Sequence, residues 1–597
     1  MQSAEDREEP HAIAYSRDRR RKRKRYNEFV LSRSFFVLVL ALVPLAAAPP
    51  VIMPLKDVSA GQRGVGRTVF AGTKVEEFQV EVLGVLNNVG PKESIILAKL
   101  SGGPLGETGV MQGMSGSPVY IGGKLIGAVA LSFPLSKEAI AGIRPIEDML
   151  RVTPEPARQI AGLPARRSYF QGDSRMEEIA TPVSFSGFTA GTLEHFGPQL
   201  RQLGFDPRQG VAAGGPVPDV LGDPKTLEPG SMISVQLISG DMTVGADGTI
   251  TAIDGDKVYA FGHRFLSEGS TDFPFARAEV LALLPSLQSS FKISMAKEWM
   301  GTITSDREVA VAGLTGRRAN LVPMEIRVGA NTYRMRMIQD RVMSPLLLQM
   351  AIFSAIDATE RSLGAQTYSI KGQMEFDGGP VKIDDVYSGD LGVASFAAGS
   401  VSSSVGFAYQ SGLDALKLKS VNLDIVAVER KSQQQIIDVL APRMAHPGDD
   451  LDVTVVLGGA NGQETSRKVR YKLPVGVPLG PLNLTVADAT ATNIFEFQQA
   501  VGTPQRTPEQ VLGLLNGLRS NTKAYLRVWR SEPAYTVEGR DIPDPPPSLA
   551  LTLTRAQGTL QNLQSNNRGA KLAELEVAGS PGFIVTGSKT VQVEVKE

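Results

Sequence analysis

Short apolar runs closed by glycine turns recur along this chain, and they restrict it to folds that use many brief strands. In Phe78-Gln79-Val80-Glu81-Val82 apolar and polar residues alternate with period two, which marks a strand with one face buried and the other wet. Runs at 68–70, 78–86 and 94–100 follow one another, and 119–130 reads as strand, Gly122-Gly123 turn, strand, the pattern of a hairpin. Many short strands with Gly-rich turns predict a mainly β barrel or sandwich rather than an alternating α/β fold. A chain of 597 residues is too long for a single core, and the usual domain size divides it into roughly three or four units.

Composition removes whole classes of chemistry. There is no cysteine, so disulfides, thiolate nucleophiles and cysteine metal sites are excluded. The four histidines, His11, His195, His263 and His446, are too few for a His-rich metal centre, and neither a metal nor another cofactor is expected. Lys plus Arg and Asp plus Glu balance at 62 each, so no global charge draws the protein to nucleic acid or anionic lipid.

The stretch most able to carry chemistry is Gly113-Met114-Ser115-Gly116-Ser117-Pro118. Glycine on either side of the serine lets the backbone turn with its N–H groups to one side and keeps the approach free of a Cβ. The amides of Gly113 and Ser115 then converge on the oxygen that becomes negative when Ser115 attacks a carbonyl, forming an oxyanion hole. Ser117 is the rival nucleophile, but Pro118 leaves fewer N–H donors beside it. Clusters of Gly, Ser and Pro also make ordinary turns, so the surroundings decide.

Those surroundings include Met53-Pro54-Leu55-Lys56-Asp57-Val58, Lys74-Val75-Glu76-Glu77-Phe78-Gln79-Val80-Glu81-Val82, Glu107-Thr108-Gly109 and Gly123-Lys124-Leu125-Ile126-Gly127-Ala128-Val129. With the serine turn, this set resembles the SpoIVB-type serine peptidases over residues 53–150. A second block, Gly248-Thr249-Ile250-Thr251-Ala252-Ile253-Asp254 with Ala260-Phe261-Gly262-His263, is similar to the family's histidine segment. The resemblance implies a trypsin-like two-barrel core with a Ser-His-Asp arrangement, Ser115 as nucleophile and His263 as base. In the family the histidine segment comes first; here it follows the serine, so the core reads as circularly permuted. The position of the family's aspartate holds Ser101, which leaves Asp272 or Asp306 to accept from His263 Nδ1–H and fix its tautomer. Nucleophile and base would come from different barrels, 51–150 and 230–320.

The rest of the chain frames this core. Residues 1–48 carry a basic run at 17–25, an apolar run at 35–43 and an Ala-rich end, the parts of a signal peptide cleaved near Ala48, or of an N-terminal anchor and only membrane contact. Residues 49–165 form the serine-bearing barrel, within which 143–161 reads as helix, and 166–340 the histidine-bearing barrel. Residues 341–428 complete the core with a helix at 346–361 led by Ser344-Pro345, and 429–490 read as an immunoglobulin-like sandwich. Residues 491–597 supply a helix opened by a Thr507-to-Gln510 capping box, a Pro-rich linker at 541–547 and a last strand. His195 at a helix end and His446 in a turn read as structural. The expected protein is exported to the periplasm, envelope or exterior, where it hydrolyses peptide bonds in envelope proteins. The other reading is an inactive peptidase-fold scaffold or binding protein.

Overall fold

The computed structural model describes residues 50–154, 168–169, 175–210, 220–359, 364–459, 462–494, 507–532, 534–537, 540–543, 545–556, 563–566 and 569–597. Residues 1–48, where a leader or anchor is expected, lie outside them. Among the described residues no helix is long and apolar enough to cross a membrane.

The first strands close into a barrel. β1 (Arg63–Val69), β2 (Val75–Gly90), β3 (Glu93–Ser101), β4 (Pro118–Ile121), β5 (Lys124–Ser132) and β6 (Ile140–Pro145) pair in the order β4-β1-β2-β3-β6-β5, and β5 pairs back onto β4. Alternation puts Phe78, Val80 and Val82 inside, against Ile96, Ala98, Val119, Val129 and Ile143, as the period-two pattern predicts. Gly66 makes room for this packing: a Cβ there would stand 2.1 Å from the Phe78 ring, so the ring occupies the space.

The helix expected over 143–161 is corrected. Ile143 pairs with Ile96 on one side and Val129 on the other, because closing the barrel takes it as a strand residue. The helix that follows is only Ile146–Met149, and 155–161 lie outside the described residues.

Two short strands, β7 (Ser168–Tyr169) and β8 (Met176–Glu178), lead out of the barrel, β8 pairing with the end of β5 at Leu131 and Ser132. Next come β9 (Thr181–Ser186), β10 (Phe205–Gln209), β11 (Met232–Gly240), β12 (Thr243–Asp254), β13 (Lys257–Ala260), β14 (Gly269–Leu284), β15 (Phe291–Arg307) and β16 (Ala310–Thr315). They belong to a sheet of 13 strands, inside which β11, β12, β13, β16, β15 and β14 pair in turn and β14 returns to β11. This is a second closed circuit. The chain is thus mainly β with a trypsin-like barrel core.

The same sheet continues through the hairpin Leu321–Val328 and Asn331–Ile338, where Met324 faces Met335, and its core runs under the helices Met343–Thr359 and Val393–Gln410. The first of these helices starts before Ser344-Pro345, and its leading amides at Val342 and Met343 donate to Asp340 Oδ1, an acceptor three residues ahead of the helix. Beyond 430, a sheet of 4 strands and one of 5 share a core that includes Ile436, Val453, Leu484, Leu526 and Val593. The last strand, Ser588–Val595, pairs with Gly480–Asp488, so the sandwich draws on the chain out to its end. The capping box at Thr507 and Gln510 opens the helix Pro508–Asn516. Part of the expected Pro-rich linker is instead strand, since Arg540–Pro543 pairs with Ala534–Val537.

Candidate active site

The serine turn is built by glycine and held by the other barrel. Gly113 has φ +88° and Gly116 φ +92°, a region that L side chains avoid. Around them Ser117 N donates to Met114 O at 2.9 Å, Gly116 N to Val129 O at 2.8 Å, and Gln112 N to Ser290 O at 2.9 Å. The carbonyls of the turn face β12: Thr249 N donates to Ser115 O at 2.9 Å, Thr249 Oγ1 to Gly113 O at 2.8 Å and Thr251 Oγ1 to Gly116 O at 2.7 Å. With the carbonyls turned that way, the amides of Gly113 and Ser115 donate to no acceptor among the described residues. They are the two groups that the sequence assigns to an oxyanion hole.

The histidine segment arrives at the same place. Phe261 and Gly262 both have φ +72°, and Phe261 N donates to Thr249 O at 3.3 Å. One residue of β12 therefore bonds the serine turn through its N–H and the strand tip before His263 through its carbonyl. The fit is close: a Cβ on Gly116 would lie 2.0 Å from Thr249 O and 2.5 Å from Phe261 N, and one on Gly262 would lie 3.2 Å from Ala130 Cβ. His263 Nδ1 bonds Arg264 O at 2.7 Å. A carbonyl accepts, so Nδ1 carries the proton and Nε2 is the acceptor nitrogen.

Both side chains are deeply buried, Ser115 at 0% exposure and His263 at 2%, and Ser115 Oγ has no hydrogen-bond partner among the described residues. Ser117 is equally buried. A small pocket of about 20 Å³ touches His263 and is walled by Glu178, Ile179 and Thr181. A larger cavity of about 350 Å³ shares Ile179 with it and reaches Gly109, Gln112, Leu135 and Leu287. Gln112 Nε2 donates to Asp206 Oδ2 at 2.8 Å, while its Oε1 is buried and has no partner among the described residues.

The two candidate acids serve other groups. Asp306, fully buried, accepts from Phe265 N at 2.8 Å, Leu266 N at 2.5 Å and Ser267 N at 2.7 Å. Burial pushes its carboxyl up to about 6 against the pull of those amides. It organises the loop that follows His263. Asp272 accepts from Asn320 N at 2.9 Å and Asn320 Nδ2 at 2.8 Å, with Arg317 alongside at 3.4 Å. His195 sits within the helix Ala190–Gln202, bonds Ser395 Oγ at 2.8 Å and stacks on Phe353. His446 bonds Asp449 in a turn.

Several residues of the site escaped the sequence reading. Thr249 and Thr251 alternate with apolar residues in a strand, and such a polar face reads as wet; here it faces the serine turn. Lys292 of β15 also reaches the serine turn, buried together with Ser294 while Phe291 and Ile293 are half-buried.

Residues 46–150 match the family model described as SpoIVB peptidase S55. The match covers the first barrel, with Ser115 inside it and His263 beyond it. No curated protein and no solved structure matches the chain.

Proposed function

From the premise that the first barrel is of the SpoIVB peptidase type, we propose that the protein is an exported serine peptidase acting on envelope proteins, with Ser115 as nucleophile and His263 as base. The observation that carries the reading is the shared use of Thr249, which ties the serine turn of one barrel to the histidine tip of the other. Ser115 Oγ attacks the scissile carbonyl carbon while His263 Nε2 takes its proton. The new oxyanion accepts from the N–H groups of Gly113 and Ser115. Collapse breaks the C–N bond, the imidazolium returns the proton to the leaving amine, and water then releases the acyl group from Ser115.

The Nδ1 bond to Arg264 O sets the tautomer that this sequence of steps requires. The carbonyl of Arg264 carries only a partial negative charge, so it stabilises the imidazolium less than a carboxylate in the same place would. The cavity of about 350 Å³ beside Gln112 is of the size that holds a substrate side chain. The carboxylates at Asp272 and Asp306 have no part in the proposed steps. Export rests on the residue pattern at 1–48.

A second reading, an envelope scaffold that keeps the peptidase fold, is favoured by one observation: Ser115 and His263 are almost fully covered. A fluorophosphonate probe, which modifies activated serines, separates the two. The native chain is expected to label, Ser115→Ala to lose all labelling, and His263→Ala to label ~10²-fold or more slowly. A native chain that never labels is the scaffold.

A further inference from the structure

Beneath the serine turn lies a buried cation that the proposed steps leave unused. Lys292, on β15, is 1% exposed. Its Cδ and Cβ lie 3.2 and 3.4 Å from where a Cβ on Gly113 would stand, beside Met232 Cε at 3.1 Å, so the lysine stem packs directly against the turn at this glycine. Its main-chain N donates to Gln112 O at 3.2 Å, and its Nζ donates to Thr68 Oγ1 of β1 at 2.7 Å. Both barrels therefore close around one ammonium at the base of the turn.

The ammonium bonds Thr68 of β1 and lies in the field of the buried Asp247 of β12, whose carboxylate accepts from Ser294 Oγ at 2.5 Å, while Met232 of β11 and the lysine stem flank Gly113 of the turn. Asp247 is the charge that acts on Lys292, and it is not in ion-pair contact with it. A methionine would pack in the same space without the cost of burying a charge, so the placement of a lysine there calls for a use of the charge.

We propose that Lys292 is a positioning residue of the serine site, which props Gly113 in its left-handed conformation and lends positive potential to the Gly113 and Ser115 amides where the oxyanion forms. The proposal rests on the reading of Ser115 as nucleophile. Burial lowers the ammonium from its ordinary value to about 7, with Asp247 partly opposing the shift. The charge is thus present below about pH 7 and is lost as pH rises through it, so the assistance to the oxyanion falls in the same window.

The test is the pH profile of fluorophosphonate labelling in the full chain, for the native protein, Lys292→Met and Lys292→Arg. The native rate is expected to fall on the alkaline side of about pH 7. Lys292→Met should be about tenfold slower at pH 6, a smaller loss than removal of a direct oxyanion donor, and should have no alkaline fall. Lys292→Arg, charged throughout, should carry its rate to higher pH. A lysine that only fills space would change the rate and leave the alkaline fall in place, and that result overturns the proposal. Labelling of the native chain with unaltered profiles in both variants overturns it while sparing the peptidase reading; no labelling of the native chain overturns both.

Discussion

Gly116→Ala should destabilise the protein by roughly 2–5 kcal/mol, the sum of left-handed backbone strain and overpacking against main chain. The position has φ +92°, and the new methyl would meet Thr249 O at 2.0 Å and Phe261 N at 2.5 Å. Neither neighbour is the end of a flexible side chain, so relief requires β12 and the strand tip before His263 to draw back from the serine turn. Labelling of Ser115 should vanish with the fold intact or not. Gly122→Ala is the control, because that glycine also has positive φ, +55°, but faces open space. Its cost should be the strain alone, about 1–2 kcal/mol. Chemical denaturation of the two variants decides the matter: equal losses would mean that the contact between the barrels at Gly116 contributes nothing.

Asp306→Ala is the second large effect. Three main-chain donors, at Phe265, Leu266 and Ser267, end on this one buried carboxylate, and each unsatisfied buried donor costs about 1–3 kcal/mol. A loss of about 4 kcal/mol is expected, against a total stability of typically ~5–15 kcal/mol. Arg264, just ahead of these three, holds His263 Nδ1 through its carbonyl, so labelling should fall together with stability. Asp272→Ala, whose partners are Asn320 and Arg317 on the surface, should leave labelling unchanged. If Asp272→Ala abolished labelling and Asp306→Ala did not, the roles assigned to the two carboxylates would be reversed.

Much of this architecture is legible in the residues. The alternation at Phe78, Val80 and Val82 directly gives the inward face of β2, because a strand has only two faces and water selects between them. The serine turn is legible because two glycines are needed where the backbone has positive φ. The role of Asp306 was not legible. Asp306 lies opposite Gly269 in the pairing of β15 with β14, close to His263 along the sheet, yet its oxygens turn to the amides of the intervening loop, and sequence distance carries no direction. Lys292 was hidden for a different reason. Alternation of polar and apolar residues says that two environments exist without saying which is solvent, and at a seam between two barrels the polar side can be the dry one.

On the proposed reading, the double role of Thr249 also sets the moment at which Ser115 becomes reactive. The strands that carry the turn are synthesised first, and the residue that pins their carbonyls, together with the imidazole, is synthesised later. On that reading a half-made chain holds the hydroxyl with neither its clamp nor its proposed proton acceptor. The proposed reactivity begins only once the later circuit has settled onto the earlier one.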